Sequence, residues 1–258
     1  QAAAGQLFFS RLGNWEEAGR LFGAAVDAGV NDPAVLKSYG DVVANQKNYT
    51  LLRDLLVQRA ELSEGPAAAE ALQDAVLVER TMTHKYPAAV VLLQRSLEIA
   101  PGDWFALRLL RQLQHLSRNW EGLVDVLERM ARMTTGTRAA RLLVERGRVF
   151  EDELDNLDAA ASAYEAAREH DPGFGGAFLS IERIARVRSD SDRLISLYVE
   201  EAKRSQGGNA TFWLARAARI SASADNHERT ADLYAQAVEL SGPTARELRH
   251  EAQSFFAA

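Results

Sequence analysis

The chain has 258 residues, a formal net charge of -6, 47% apolar and 26% charged residues, and no cysteine. That composition excludes disordered, collagenous and coiled-coil chains, and no run of 18 apolar residues is present to span a membrane as a helix. The mild acidity argues against a protein that tracks nucleic-acid phosphates, and the missing cysteines exclude disulfides, thiolate catalysis and cysteine-ligated zinc.

Residue 1 is Gln, so the chain reads as a piece of something longer, and no signal-peptide pattern opens it. A cytoplasmic location is the expectation. Arginine outnumbers lysine 26 to four, a bias read as GC-rich bacterial codon usage. Cutting the chain after residue 129 leaves -3 on each half, so no charged tail stands out.

Along the chain, a polar residue followed by a ring or aliphatic residue repeatedly opens a helical run. It does so at Asn14-Trp15-Glu16, Asn48-Tyr49-Thr50, Lys85-Tyr86-Pro87, Asn119-Trp120-Glu121, Asn156-Leu157-Asp158, Asp190-Ser191-Asp192 and Asn226-His227-Glu228. Steps between the second residues are 34, 37, 34, 37, 34 and 36. The polar residue is the expected cap of the second helix of each unit, its side chain accepting from a free first-turn amide. Breakers close the units: Asp32-Pro33, Gly65-Pro66, Pro101-Gly102, Gly136, Asp171-Pro172-Gly173, Gly207-Gly208 and Gly242-Pro243. No segment alternates with period two, so no strand is predicted.

Within the second helices, Ala160, Tyr164, Ala167 and Pro172 share their spacing with Ala89, Leu93, Ser96 and Pro101. Ala18, Phe22 and Ala25, and Thr230, Tyr234 and Ala237, follow the same pattern, and Gly147 to Phe150 supplies a first-helix Gly-x2-aromatic piece. These residues resemble the tetratricopeptide repeat. The first-helix Trp and Gly positions of that repeat are mostly lost here, and Val43 stands where an aromatic would follow Tyr39-Gly40. The resemblance implies an all-α, right-handed α-solenoid of about seven helix-turn-helix repeats. The repeats cover 1–33, 34–66, 67–102, 103–136, 137–173, 174–208 and 209–243, followed by a terminal helix over 244–258, in one domain, 1–258.

The alternating steps point to a two-repeat unit of 71 residues. Odd repeats carry a small residue early in the second helix (Ala18, Ala89, Ala160, Thr230), where even repeats carry Leu52, Leu123 and Leu194. Seven residues later stand Ala25, Ser96, Ala167 and Ala237 in odd repeats. Even repeats shift their alanine one place on, to Ala60, Ala131 and Ala202. Two alternating packing distances are expected, since helix separation follows the side chains at the contact. Phe22, Leu56, Leu93, Leu127, Tyr164, Tyr198 and Tyr234 are the expected buried seam between helices.

No chemistry-bearing motif appears. The five histidines have no metal-ligand spacing, and there is no GxSxG, GxGxxG or Walker sequence. The acidic cluster Glu151-Asp152-Glu153 lacks the alternate ligands and central glycine of a calcium loop. The expectation is a protein that is not an enzyme and holds no metal or cofactor. The resemblance implies a concave groove lined by first helices. Aligning the repeats puts Arg108, Arg148, Arg183, Arg186 and Arg219 at that face, with Trp104, Phe105 and Phe212 as aromatic anchors. Arginine forks suit carboxylates. The expected function is therefore a non-catalytic scaffold that binds a peptide or helix of another protein, with an acidic segment favoured. The alternative is a regulatory or sensor module of a larger polypeptide. Phe255 and Phe256 are adjacent on the terminal helix and cannot both turn inward, so a continuing array or an end-to-end or larger-assembly partner is expected there.

Overall fold

The computed structural model describes residues 1–241 and 246–256, with the side chains of Glu247 and Phe256 outside the description. The expected breakers Gly242 and Pro243, and the expected helix start at Thr244, lie outside the described residues. Every regular element among the described residues is a helix, and the chain forms two compact units, Gln1–Thr134 and Thr135–Ala258.

In the first unit, α1 (Ala2–Leu7) runs into a π-helical turn, Phe8–Leu12. It is followed by α2 (Trp15–Asp27), α3 (Pro33–Asn45), α4 (Tyr49–Glu61), α5 (Gly65–Thr81), α6 (Tyr86–Ile99), α7 (Trp104–Leu116) and α8 (Trp120–Arg132). The second unit holds α9 (Gly136–Asp152), α10 (Leu157–His170), α11 (Gly175–Val187), α12 (Ser191–Arg204), α13 (Gly208–Ser223), α14 (His227–Ser241) and α15 (Arg246–Phe256). Odd-numbered helices are the first, even-numbered the second, of successive tetratricopeptide-like pairs.

Every second helix starts at the predicted residue, and the cap explains why. Asn14, Asn48, Asn119, Asn156, Asp190 and Asn226 each accept from the backbone amide three residues on, at 2.9–3.3 Å. That satisfies one of the orphan amides of the first turn. Lys85 has no such side-chain oxygen; there Pro87, in the first turn, needs no partner for its nitrogen. The residue before each cap lies in the left-handed region: Gly13, Lys47, His84, Arg118, Asp155, Ser189 and Asp225, at φ +48° to +59°. One reversed residue turns the chain back on itself.

The 37-residue step has a structural origin. First helices α5, α9 and α13 have 17, 17 and 16 residues, against 13 in α3, α7 and α11. That difference is about one 3.6-residue turn. The long first helices also lie against their second helices over more of their length than the short ones do.

The side chains account for this. Ala18, Ala89, Ala160 and Thr230 are fully buried, and Leu123 and Leu194 are buried at the corresponding place; a small side chain at a helix contact permits closer approach than a leucine does. Leu52 is half-buried. All seven seam residues from Phe22 to Tyr234 are buried. A helix pair alone cannot cover both faces, so this stacking supplies the core.

Candidate functional site

In the second unit the first helices α9, α11, α13 and α15 present a row of arginines and glutamates. Arg183 on α11 forms a two-pronged ion pair with Glu151 on α9. Glu182 on α11 accepts from Arg216 on α13 at 2.9 Å and from Arg186, one turn along its own helix, at 2.9 Å. Arg219 on α13 reaches Glu251 on α15 through Nε and Nη2, at 2.7 and 2.8 Å. The pairs of Arg183, Arg216 and Arg219 each join successive first helices, so the charges cross-link the stack.

A tyrosine from the seam completes each set. Tyr164 donates to Glu151 at 3.1 Å, Tyr198 to Glu182 at 2.6 Å, and Tyr234 to Glu251 at 3.2 Å. Each ring packs in the core while its hydroxyl emerges on the first-helix face, an apolar body with a polar tip. Burial pushes the Tyr164 hydroxyl up to about 12, with the neighbouring Glu151 charge acting the same way. Tyr198 and Tyr234 are raised for the same two reasons. The hydrogen bond from Arg183 lowers Glu151, and that from Arg219 lowers Glu251. At Glu182 burial opposes ionisation, but bonds from Tyr198 and Arg186 and the Arg216 charge outweigh it.

An acid-stability test follows. Carboxyls held below the usual glutamate value of about 4.3 stabilise the fold above that pH. The contribution is lost as pH falls through the lowered native values. In urea melts, the advantage of the parent over Glu151→Gln or Glu251→Gln should be constant above about pH 5 and shrink progressively as the pH falls below the usual glutamate value. An advantage unchanged at low pH would remove the ionic role of these pairs.

An aromatic cluster adjoins the row. Trp213 stacks on Tyr198 at 5.7 Å and meets Phe178 and Phe212 edge-on at 5.2 and 5.0 Å. The Arg216 guanidinium lies 4.8 Å from the Tyr198 ring and 5.7 Å from those of Phe212 and Trp213. Phe212 is 51% exposed.

Of the predicted site residues, Arg183, Arg186, Phe212 and Arg219 fall within this region. All four are exposed, and the three arginines are bound to glutamates. Arg148 is exposed on α9, with no hydrogen bond or ion pair among the described residues. The two-repeat period explains that isolation. Arg148 stands 71 residues before Arg219, and the position 71 before Glu251 is Ser180. Trp104, Phe105 and Arg108 lie on α7 of the first unit, with Trp104 half-buried and the other two exposed. Arg216 and Trp213 escaped the sequence reading, although Arg216 stands three residues before Arg219 on the same helix face. Phe255 packs against His227 and Tyr234, with ring centres 5.5 and 6.4 Å apart; the side chain of Phe256 is outside the described residues.

Among the described residues no group of three metal-ligating side chains occurs, and no helix is long and apolar enough to cross a membrane. No protein-family model and no curated protein matches the sequence. Solved structures do. The C-terminal part of a TPR repeat-containing protein from Cytophaga hutchinsonii is 15% identical, with 97% of this chain and 98% of that one covered and a TM-score of 0.38. A tetratricopeptide repeat protein from Parabacteroides merdae is 13% identical, with 99% and 97% covered and a TM-score of 0.41. The structure of Naa15/Naa10 bound to HypK-THB is 16% identical, with a TM-score of 0.51. It covers 98% of this chain, which spans only 38% of that longer one. These likenesses concern the fold: an all-α array of tetratricopeptide-like helix pairs.

Proposed function

We propose that this chain is a non-catalytic scaffold that binds a carboxylate-bearing segment of a partner protein on the first-helix face of its second unit. The observation that carries the reading is Arg148. It is an exposed guanidinium without a partner among the described residues, in a row whose other arginines are matched by glutamates. A carboxylate bound there would supply the acid that Ser180 does not. Exposed Phe212, backed by Trp213 and Arg216, is the apolar anchor. In the first unit, Phe105 and Arg108, with half-buried Trp104, offer the same pairing of ring and cation on α7. The fold likeness to Naa15/Naa10 bound to HypK-THB favours a protein partner over a small-molecule substrate.

Hexaglutamate serves as the probe, titrated calorimetrically at two salt concentrations. Binding should weaken as salt rises, because exposed charge pairs are screened. Arg148→Glu should weaken it about tenfold, a cost of about 1.4 kcal/mol, with the melting temperature nearly unchanged. Arg183→Glu should weaken it too, and also lower stability slightly, since the new carboxylate faces Glu151. Unchanged affinity in both folded variants would reject this face as the site.

A further inference from the structure

Arg148 belongs to a stripe of charges along its own helix. At 3.6 residues per turn, Arg138, Arg141, Glu145, Arg148 and Asp152 fall within about a quarter of the circumference of α9. The far side of the helix, with Ala139, Ala140, Leu143 and Gly147, is buried. Arg138 and Arg141 are exposed like Arg148, and like it they have no hydrogen bond or ion pair among the described residues. Glu145 is half-buried and Asp152 exposed. The stripe therefore reads positive, positive, negative, positive, negative.

Sign and spacing both restrict what fits. A nucleic-acid backbone, negative at every step, meets repulsion at Glu145 and Asp152, so the stripe selects against it. Along the axis, Arg138 and Arg141 are about 4.5 Å apart, and Arg141 and Arg148 about 10.5 Å. An extended segment presents one side only every 6.6 Å or about that, which matches neither gap. A second helix repeats the spacing of α9 residue for residue. Helix beside helix is also how arginine meets acid elsewhere in this unit: Arg216 of α13 with Glu182 of α11, and Arg219 of α13 with Glu251 of α15. An apolar contact adjoins the stripe. Arg183 of α11 pairs with Glu151, so Leu179, one turn before Arg183, comes level with Arg148, nearly one turn before Glu151. Leu179 is 62% exposed.

We propose that α9 docks an amphipathic α-helix of the partner protein, laid lengthwise along the stripe. Its acids face Arg138, Arg141 and Arg148, basic residues face Glu145 and Asp152, and an apolar side chain rests on Leu179. This inference rests on the first-helix face being the carboxylate site, and adds to it the conformation and the charge order of the bound segment. Order matters because a shifted register sets like charges against each other, the device by which paired helices choose partners.

The test is a calorimetric titration of the whole chain, at low salt, with alanine-rich helical peptides. The matched peptide carries glutamates at the spacing of Arg138, Arg141 and Arg148, lysines at that of Glu145 and Asp152, and a leucine beside the last glutamate. It is made in both chain directions, and the tighter one is scored. A permuted isomer has the same residues with the acids scattered round the helix. The matched peptide should bind with a dissociation constant on the order of 0.1 mM, and the permuted isomer about tenfold more weakly. Arg141→Glu, an exposed change that leaves the melting temperature alone, should weaken the matched peptide about tenfold. Replacing the facing glutamate of the peptide by lysine should restore most of that loss. Equal binding of the two isomers, or no restoration in the reversed pair, would overturn the proposal. Hexaglutamate separates the two readings. If it binds the parent while the isomers bind alike, the carboxylate site stands and the helix assignment falls; if neither hexaglutamate nor the peptides bind, both fall.

Discussion

A double-mutant cycle at Gly147 and Tyr164 should show two damaging single substitutions that largely repair each other. A Cβ on Gly147 would stand 2.7 Å from Tyr164 Cδ1 and Cζ, inside the ring's contact distance. Both residues are buried, so neither can move away into solvent. Gly147→Val should overpack this seam and cost about 3 kcal/mol. Tyr164→Leu removes ring volume and the bond to Glu151, at about 2 kcal/mol.

The chain already contains the compensated pair. Seventy-one residues earlier, Val76 and Leu93 occupy the two corresponding positions, and both are fully buried. The first repeat uses Gly5 against Phe22, whose Cδ1 would lie 3.1 Å from an added Cβ. Small against ring and Val against Leu are two solutions of one packing problem. The double variant should therefore recover about 1–3 kcal/mol of the summed loss in urea melts. Strict additivity would show that the two residues do not share a contact.

Leu123→Ala should be the most damaging single truncation among the even repeats. Leu123 is 1% exposed and spaces α8 from its neighbours, so its loss leaves a cavity that packed helices cannot close. The expected cost is about 2–5 kcal/mol. Leu52→Ala, at the half-buried counterpart, should cost less, because solvent already reaches that position. A parent-like urea midpoint for Leu123→Ala would remove the assignment of Leu123 as spacer.

Local signals determine much of the architecture. Asn14, Asn48, Asn119, Asn156, Asp190 and Asn226 announce helix starts because a cap acts within one turn, and the identity of the residue is enough. The alternation of Ala18, Ala89 and Ala160 with Leu123 and Leu194 is legible for a similar reason: the size of a side chain at a known helix position is read directly from the residue. Buried tyrosines were equally legible, through their spacing on an apolar stripe. The terminal phenylalanines were less so, since the ring contacts of Phe255 with His227 and Tyr234 join residues far apart in the chain.

Charge partners could be read only from the tertiary structure. Spacing in sequence says that Arg183, Arg186 and Arg219 share a face. It does not say that Arg183 and Arg219 reach Glu151 and Glu251, each 32 residues away, or that Glu182 binds two arginines at once. Nor does it say that Arg148 is left with Ser180 where Arg219 has Glu251. The pairing of Gly147 with Tyr164 is of the same kind. Helix identity and helix face depend on a residue and its near neighbours in the chain, so the sequence determines them. Complementarity across a contact depends on two side chains brought together by the stacking of repeats, and that is decided only once the helices are packed.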